Sequence, residues 1–449
     1  MRAFLILWIG QTGSQLGSTL SGFAISLWLY IETGSVTIYA LSTVFLILPT
    51  AILSPLAGVY VDRYNRRLVM LVADSVQALA TLGMVLVIYL EVYQLWHIYL
   101  AMVILSIARA FQRPAWRAAV PLIVPKEQLG RASGLERIGE GIGMILAFSL
   151  AGALLLSIGL AAILALDLLT FLLAVITLML VRIPDPPSIE EDKAAGSVWE
   201  EMLFGWRYLF ARAGLLRWVL MIALLNLFDN FASILLVPIM LNFGNEAVVS
   251  VLMGLIVSGM LFASLFISWW GGPQHRMRFI LVMILLQGVA IGLVGFSQSL
   301  ALIAIVSFGW MLTFSFIGLV NVPLLQTKIE PAVQGRVFAS ISFFTLMLDP
   351  LGRIVVGPLA DRVLEPAMME GGGLAPWLGP WLGTGPGRGL AVVFVAMGLM
   401  HMALSLYGFS NARVRLLEAE LPDALPDLDE IRDEPAAQPA AVSETGMAD

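Results

Sequence analysis

Gly58-Val59-Tyr60-Val61-Asp62-Arg63-Tyr64-Asn65-Arg66-Arg67 lies between two long apolar runs, roughly 36–61 and 68–90. A glycine, an acid four residues on and a basic cluster make a short polar loop. Hydrocarbon-length segments flank it on both sides. Lys and Arg collect in loops that stay on the cytoplasmic face, so this stretch reads as an inner turn between two membrane helices.

The rest of the chain repeats the pattern. Apolar residues make up 59% of its 449 residues and charged residues 12%, against about 25% charged in a soluble domain. A spanning helix takes about 20 apolar residues. Runs of that length occur at roughly 4–31, 36–61, 68–90, 96–118, 130–157, 160–181, 215–241, 247–270, 277–296, 299–325, 334–360 and 389–410. The expectation is an all-α membrane protein with 12 transmembrane helices. The first run is too long for the 7–15-residue apolar region of a cleavable signal peptide and is read as a span.

Composition also excludes chemistry. There is no cysteine, hence no disulfide, thiol nucleophile or thiolate metal site. His97, His275 and His401 lie on separate segments without metal-ligand spacing, so no metal and no cofactor is expected. No Walker-type phosphate loop, H-E-x-x-H or G-x-S-x-G elbow appears. No basic patch suits nucleic acid. No cluster of nucleophile, base or metal ligands stands out at one membrane interface.

Basic residues alternate between loops. Arg63, Arg66 and Arg67, then Lys126 and Arg131, then Arg182, Lys193, Arg207 and Arg212 come after the even-numbered spans of the first half. Arg276, Arg278, Lys328, Arg413 and Arg415 do so in the second. The opposite loops carry Glu32, Glu91 and Glu246, with Arg362 and Arg388 as exceptions near the last of them. Both termini are expected in the cytoplasm of a cell inner (cytoplasmic) membrane. The halves also echo each other. Pro125-Lys126-Glu127-Gln128-Leu129-Gly130-Arg131 returns as Pro331-Ala332-Val333-Gln334-Gly335-Arg336. The expected units are a six-helix half over 1–182, a cytoplasmic linker over 183–214, a second six-helix half over 215–412 and a disordered acidic tail over 413–449. In the linker, Trp199, Leu203, Trp206 and Phe210 form one face of an amphipathic helix suited to the inner leaflet. From Glu418 onward ten acids face one base, and such a segment has little to bury.

The loop at 58–67 matches G-x-x-x-D-R-x-x-R-R/K at every constrained position. It resembles the loop between the second and third helices of major facilitator superfamily (MFS) transporters. That resemblance implies two pseudo-symmetric six-helix halves with a binding site between them near the midplane. Gly58, Asp62, Arg63, Arg66 and Arg67 would then form a gating loop. Within the family, Trp8-Ile9-Gly10-Gln11, Arg113-Pro114-Ala115-Trp116-Arg117, Gln326-Thr327-Lys328, Pro350-Leu351-Gly352 and Gly383–Gly389 are similar to bacterial macrolide-efflux and enterobactin-exporter carriers. This implies a carrier and not an enzyme, with secondary active export of an amphipathic small molecule by alternating access, driven by protons. Export of a native siderophore or other metabolite, or movement of lipid, stays open beside it. A polytopic membrane enzyme and a non-transporting sensor are the readings of a different class. The partners implied are the substrate, protons and membrane lipids, with the chain a monomer. The fifth helix holds Gly139, Gly141, Gly143 and Gly152 but lacks the proline of drug/proton antiporters, which leaves coupling less supported than export.

Ionisable groups inside a span cost at least about 2.5–3.5 kcal/mol at the bilayer centre and mark functional positions. Asn226, Asp229, Asn230 and Ser233 share one helix face by their i, i+3, i+4, i+7 spacing, and are read as a cavity wall with Asp229 as its titratable group, with interhelical polar packing as the alternative. Gln11 and Gln15 line it from the first span or serve in packing. Arg109 and Glu140 lie at matching depth on neighbouring spans and are expected to meet. Asp349 and Arg353 form an i, i+4 pair across Pro350. Asp74 and Asp167 read as packing residues nearer span ends.

Overall fold

A computed structural model describes residues 1–184 and 198–420, which form helices and short connections with no strand among them. The Pro- and acid-rich part of the linker, 185–197, and the tail over 421–449 lie outside the described residues, as does the side chain of Asp62. The first helices are α1 (Arg2–Thr33), α2 (Val36–Arg63), α3 (Arg66–Tyr89) and α4 (Leu95–Ile123). Hydrocarbon offers no partner to a backbone N–H or C=O, so only structures that satisfy them internally can cross it.

Helix α5 (Leu129–Leu180) is 52 residues long, or ~78 Å at 1.5 Å per residue, more than twice the hydrocarbon thickness. Gly159 breaks it with φ 75° and ψ 169°, a left-handed φ that glycine adopts without a steric cost. Two limbs result, 129–158 and 160–180. After α6 (Val198–Phe210) come α7 (Ala213–Leu241), α8 (Glu246–Trp270), α9 (Arg276–Phe296), α10 (Leu300–Lys328) and α11 (Pro331–Leu359). The short helices α12 (Glu365–Met368) and α13 (Ala375–Leu382) precede α14 (Arg388–Ser410). Among the described residues nine helices are long and apolar enough to cross a membrane, with the broken helix taken as one. The expected twelve counts that helix as two at Gly159 and adds α1 and α11, which are not among the nine.

Small residues set the helix contacts, since lipid tails supply no hydrophobic drive between helices and close backbone approach supplies the packing. Gly10 and Gly17 of α1 face Thr177 and Thr170 of the second α5 limb, while Gly139 faces Thr12. Gly288 and Gly398 bring α9 against α14 so closely that a Cβ on Gly398 would stand 2.6 Å from both the Gly288 carbonyl oxygen and the Gly292 nitrogen. The halves meet where α5 passes α8, with Gly152 against Glu246 and Ser250, and where α2 passes α11, with Gly357 against Thr37.

One expectation for the connecting segments changes. The tail does not lose structure at 413. Residues Ala412–Arg415 (α15) and Leu417–Glu420 (α16) are helical, Val414 and Leu417 are buried, and the Glu418 carboxylate accepts the Met277 amide (3.2 Å) at the start of α9. Apolar burial plus a helix-start acceptor outweighs the acidity of this stretch. In α6 Gly205 is buried against Arg336 and Ser340 of α11 and Leu209 is buried, while Phe210, on the stripe expected to meet the leaflet, is 66% exposed; the side chains of Trp199 and Leu203 lie outside the described residues.

Replacement of Gly398 by Ile forces the α9–α14 backbones apart. Overpacking of this kind costs about 1–3 kcal/mol. Thermal unfolding of the purified carrier in detergent is expected to show a midpoint lowered by several degrees, whereas Gly309→Ala, where nothing lies within 4 Å of the added carbon, leaves it unchanged.

Candidate functional site

A cavity of about 120 Å³ opens among α1, α4 and the first limb of α5. Gln11 and Gln15 enter it from α1, Arg109 and Arg113 from α4, and Glu136 and Glu140 from α5. The helical period puts each pair on one face. Trp116 donates its indole N–H to Glu136 Oε1 at 2.5 Å, which fixes that carboxylate against the wall. Arg113, Arg117 and Glu140 are exposed to the cavity and join no ion pair among the described residues. The lining therefore offers both signs of charge and a set of amide and hydroxyl groups, with Trp8 and Trp116 as apolar plates.

The expected meeting of Arg109 with Glu140 does not occur. Arg109 donates from Nη2 to the Ser18 carbonyl at 3.1 Å. That places its charge next to the Asp167 cluster on the far wall, so the two residues line one cavity without pairing.

Behind the cavity wall stand two buried carboxylates. Asp74 is fully buried, accepts Gln11 Nε2 at 3.0 Å and Gln112 Nε2 at 2.5 Å, and ties α3 to α1 and α4. Gln112 also donates to Gln11 Oε1 at 2.9 Å and accepts from Gln77 at 3.3 Å. Asp167 takes the Ser21 hydroxyl at 2.6 Å and the Ser18 hydroxyl at 3.3 Å, joining the second α5 limb to α1. Buried charge is tolerated only where hydrogen bonds or counter-charges replace water, and these donors supply that need. The sequence marks both acids as packing residues nearer span ends and does not by itself connect Gln112 or Gln77 to them. Gln112 lies three residues from Arg109 on the same helix face, and that spacing is the available signal.

Asp229 does not line this cavity. It is 8% exposed and sits among three other helices. Its Oδ1 accepts Gln287 Nε2 of α9 and Trp310 Nε1 of α10, both at 2.8 Å, and lies 3.5 Å from His401 Nε2 of α14. Asn226, Asn230 and Ser233, placed by their spacing on the same wall, turn their donors back to helix carbonyls at Ile222, Asn226 and Asn230. Helix periodicity gives the shared direction, but only Asp229 is buried against neighbouring helices, while Asn226 and Asn230 are half-buried and Ser233 is exposed. Gln287 is the single polar residue with hydrogen-bonding side-chain capacity in the interior of α9, and His401 the single histidine inside an apolar run; both were legible as partners.

Asp349 and Arg353 do pair, at 2.6 Å from Nε to Oδ1. Arg353 also donates to Thr43 Oγ1 of α2 (3.2 Å) and to Asn230 Oδ1 of α7 (3.1 Å), so one guanidinium fork links the two halves. In the 58–67 loop, Arg67 donates to the Leu178 and Met179 carbonyls at 2.8 and 2.9 Å and caps the end of α5. Arg66 is buried and Arg63 exposed.

The sequence profile of the Major Facilitator Superfamily matches residues 7–348. Macrolide efflux protein A of Streptococcus pyogenes is 30% identical over 365 residues, covering 80% of this chain and 90% of that protein. The enterobactin exporter EntS of Escherichia coli O81 (strain ED1a) is 27% identical over 323 residues, covering 70% and 75%. Among solved structures, a bacterial homolog of the human lysosomal transporter Spinster, in an inward-facing and unoccupied conformation, aligns with a TM-score of 0.67 at 16% identity over 93% of this chain and 98% of that one. The helical fold, the polar cavity and these likenesses make the chain a member of the Major Facilitator Superfamily, a multi-pass membrane transporter.

Proposed function

We propose that the chain exports an amphipathic small molecule of the macrolide type by alternating access, driven by protons. The observation that carries this is the 30% identity to Macrolide efflux protein A along 90% of that protein's length. The cavity among α1, α4 and α5 is the proposed substrate site. Gln11, Gln15 and Gln112 meet polar oxygens, Trp8 and Trp116 the apolar body, and Glu140 a cationic amine. The Lys and Arg distribution supports a cytoplasmic position for both termini, twelve spans in two six-helix halves, and the α2–α3 end as the inner end. The cell membrane is the proposed location and a monomer the proposed unit.

A second reading is export of an anionic metabolite such as a siderophore. Arg109, Arg113 and Arg117 at four-residue steps along one cavity wall, with the likeness to an enterobactin exporter, support it. Arg109 already serves the Ser18 carbonyl, so Arg113 and Arg117 remain to bind the anion.

Everted membrane vesicles from a host lacking its own efflux carriers separate these readings. Accumulation of radiolabelled erythromycin on addition of a proton gradient is the expected result. Glu140→Gln is expected to lower its initial rate about tenfold, a loss of ~1.4 kcal/mol, and Arg113→Ala to leave it within about twofold. A catecholate transported while erythromycin is not, with the effects of the two substitutions reversed, would establish the second reading.

Proton coupling is proposed at Asp229 with His401. Ionisable groups inside a membrane bundle mark proton relays, and this pair lies away from the substrate cavity, where it can load without displacing cargo. Asp229→Asn keeps an acceptor for Gln287 and Trp310 but removes the charge. In proteoliposomes it is expected to abolish uphill, pH-driven transport while substrate exchange at equal pH survives. Uphill transport at the wild-type rate would move the coupling role elsewhere.

A further inference from the structure

The Gly-x-x-x-Asp-Arg pattern of 58–63 occurs a second time, as Gly357-Pro358-Leu359-Ala360-Asp361-Arg362. The first copy closes α2. The second closes α11 and runs into a π-helical turn, Ala360–Leu364. The copies occupy opposite ends of the bundle, because Asp361 meets the start of α2 whereas Asp62 stands near the end of that 28-residue helix, ~39 Å from its first residue at 1.5 Å per residue.

Asp361 makes three hydrogen bonds across the boundary between the halves. Its Oδ2 accepts the Ser35 hydroxyl at 2.7 Å and the Thr37 amide at 2.8 Å, and its Oδ1 accepts the Val36 amide at 3.0 Å. The first N–H groups of a helix have no partner inside it and carry the positive end of the helix dipole. A carboxylate there forms charge-assisted bonds, about twice as strong as neutral ones. The acid comes from the second half and the helix start from the first. Any motion that parts the halves at this end breaks all three bonds at once.

The glycine of the pattern supplies the approach. A Cβ on Gly357 would lie 2.7 Å from Thr37 Cα, so no larger residue lets the backbones come this close. Gly58, the equivalent glycine at the other end, has nothing within 4 Å of its Cβ position among the described residues. One motif is thus engaged at one end and its glycine stands clear at the other.

We propose that Asp361, seated on the start of α2 over Gly357, is the latch that holds this end of the carrier shut while the other end is open. The Arg353 bond to Thr43, about two turns along α2, is its second point of attachment. Opening of this end in the transport cycle releases the carboxylate and three donors to water together, a discrete two-state change of the kind that alternating access requires. The latch acts on transport of any cargo and does not depend on the export reading.

The absence of cysteine makes the test direct. Thr33→Cys and Met369→Cys place one spin label on each half at this end, and double electron–electron resonance in lipid nanodiscs reads the distance between them. With Asp361 intact a single short distance is expected. Asp361→Ala and Asp361→Asn are expected to raise the long-distance population about tenfold, and Gly357→Ala, which wedges the same contact, to raise it as well. Asp361→Asn keeps the size and one acceptor, so it carries the test if the alanine variant does not fold. Unchanged distance distributions in folded Asp361→Asn and Gly357→Ala proteins overturn the latch. The readout is a distance, so inactivity toward erythromycin leaves it legible.

Discussion

Hydrocarbon offers polar groups no partner, and this constraint orders the whole molecule. The backbone answers it with helices. The side chains answer it by clustering at helix crossings. Asp74, Asp167 and Asp229 each sit within hydrogen-bond range of donors from at least one other helix, and each cluster ties together the helices that supply it. The same acids that cost most to bury therefore fix which helices are neighbours. Glycine completes the arrangement, since Gly17 and Gly398 lie where side chains of any size would push those crossings apart.

The two halves use their buried charge differently. In the first half Gln11 serves both the cavity and the Asp74 cluster, so the wall that would meet a substrate is continuous with the network behind it. In the second half the Asp229 cluster is closed off by Trp310 and Gln287 and has no face on that cavity. Arg353 is one link between the halves, with bonds to α2 and α7 at once. The cavity and the Asp229–His401 cluster are thus separate in space, and a conformational change that moves one half against the other must alter the Arg353 contacts.

Much of this was legible in the sequence. The apolar runs mark the long helices, the 58–67 loop points to the family, and the i, i+4 spacing of Asp349 and Arg353 predicts a pair that forms. Such features are local. Each depends on residues within one or two turns, and helix geometry turns that spacing into direction. The break at Gly159 was also readable, as two apolar runs separated by a glycine.

The sequence by itself determined a polytopic helical carrier, its family, and which side chains carry charge into the membrane. The tertiary structure decided what those side chains do. Asp229 faces His401 and not the cavity among α1, α4 and α5, Arg109 turns to the Ser18 carbonyl and not to Glu140, and Asp361 reaches the start of a helix more than 320 residues earlier. Periodicity states where a residue points along its own helix. The group that stands opposite depends on how close two backbones come, which is set by small residues on both helices together and is written in neither helix alone.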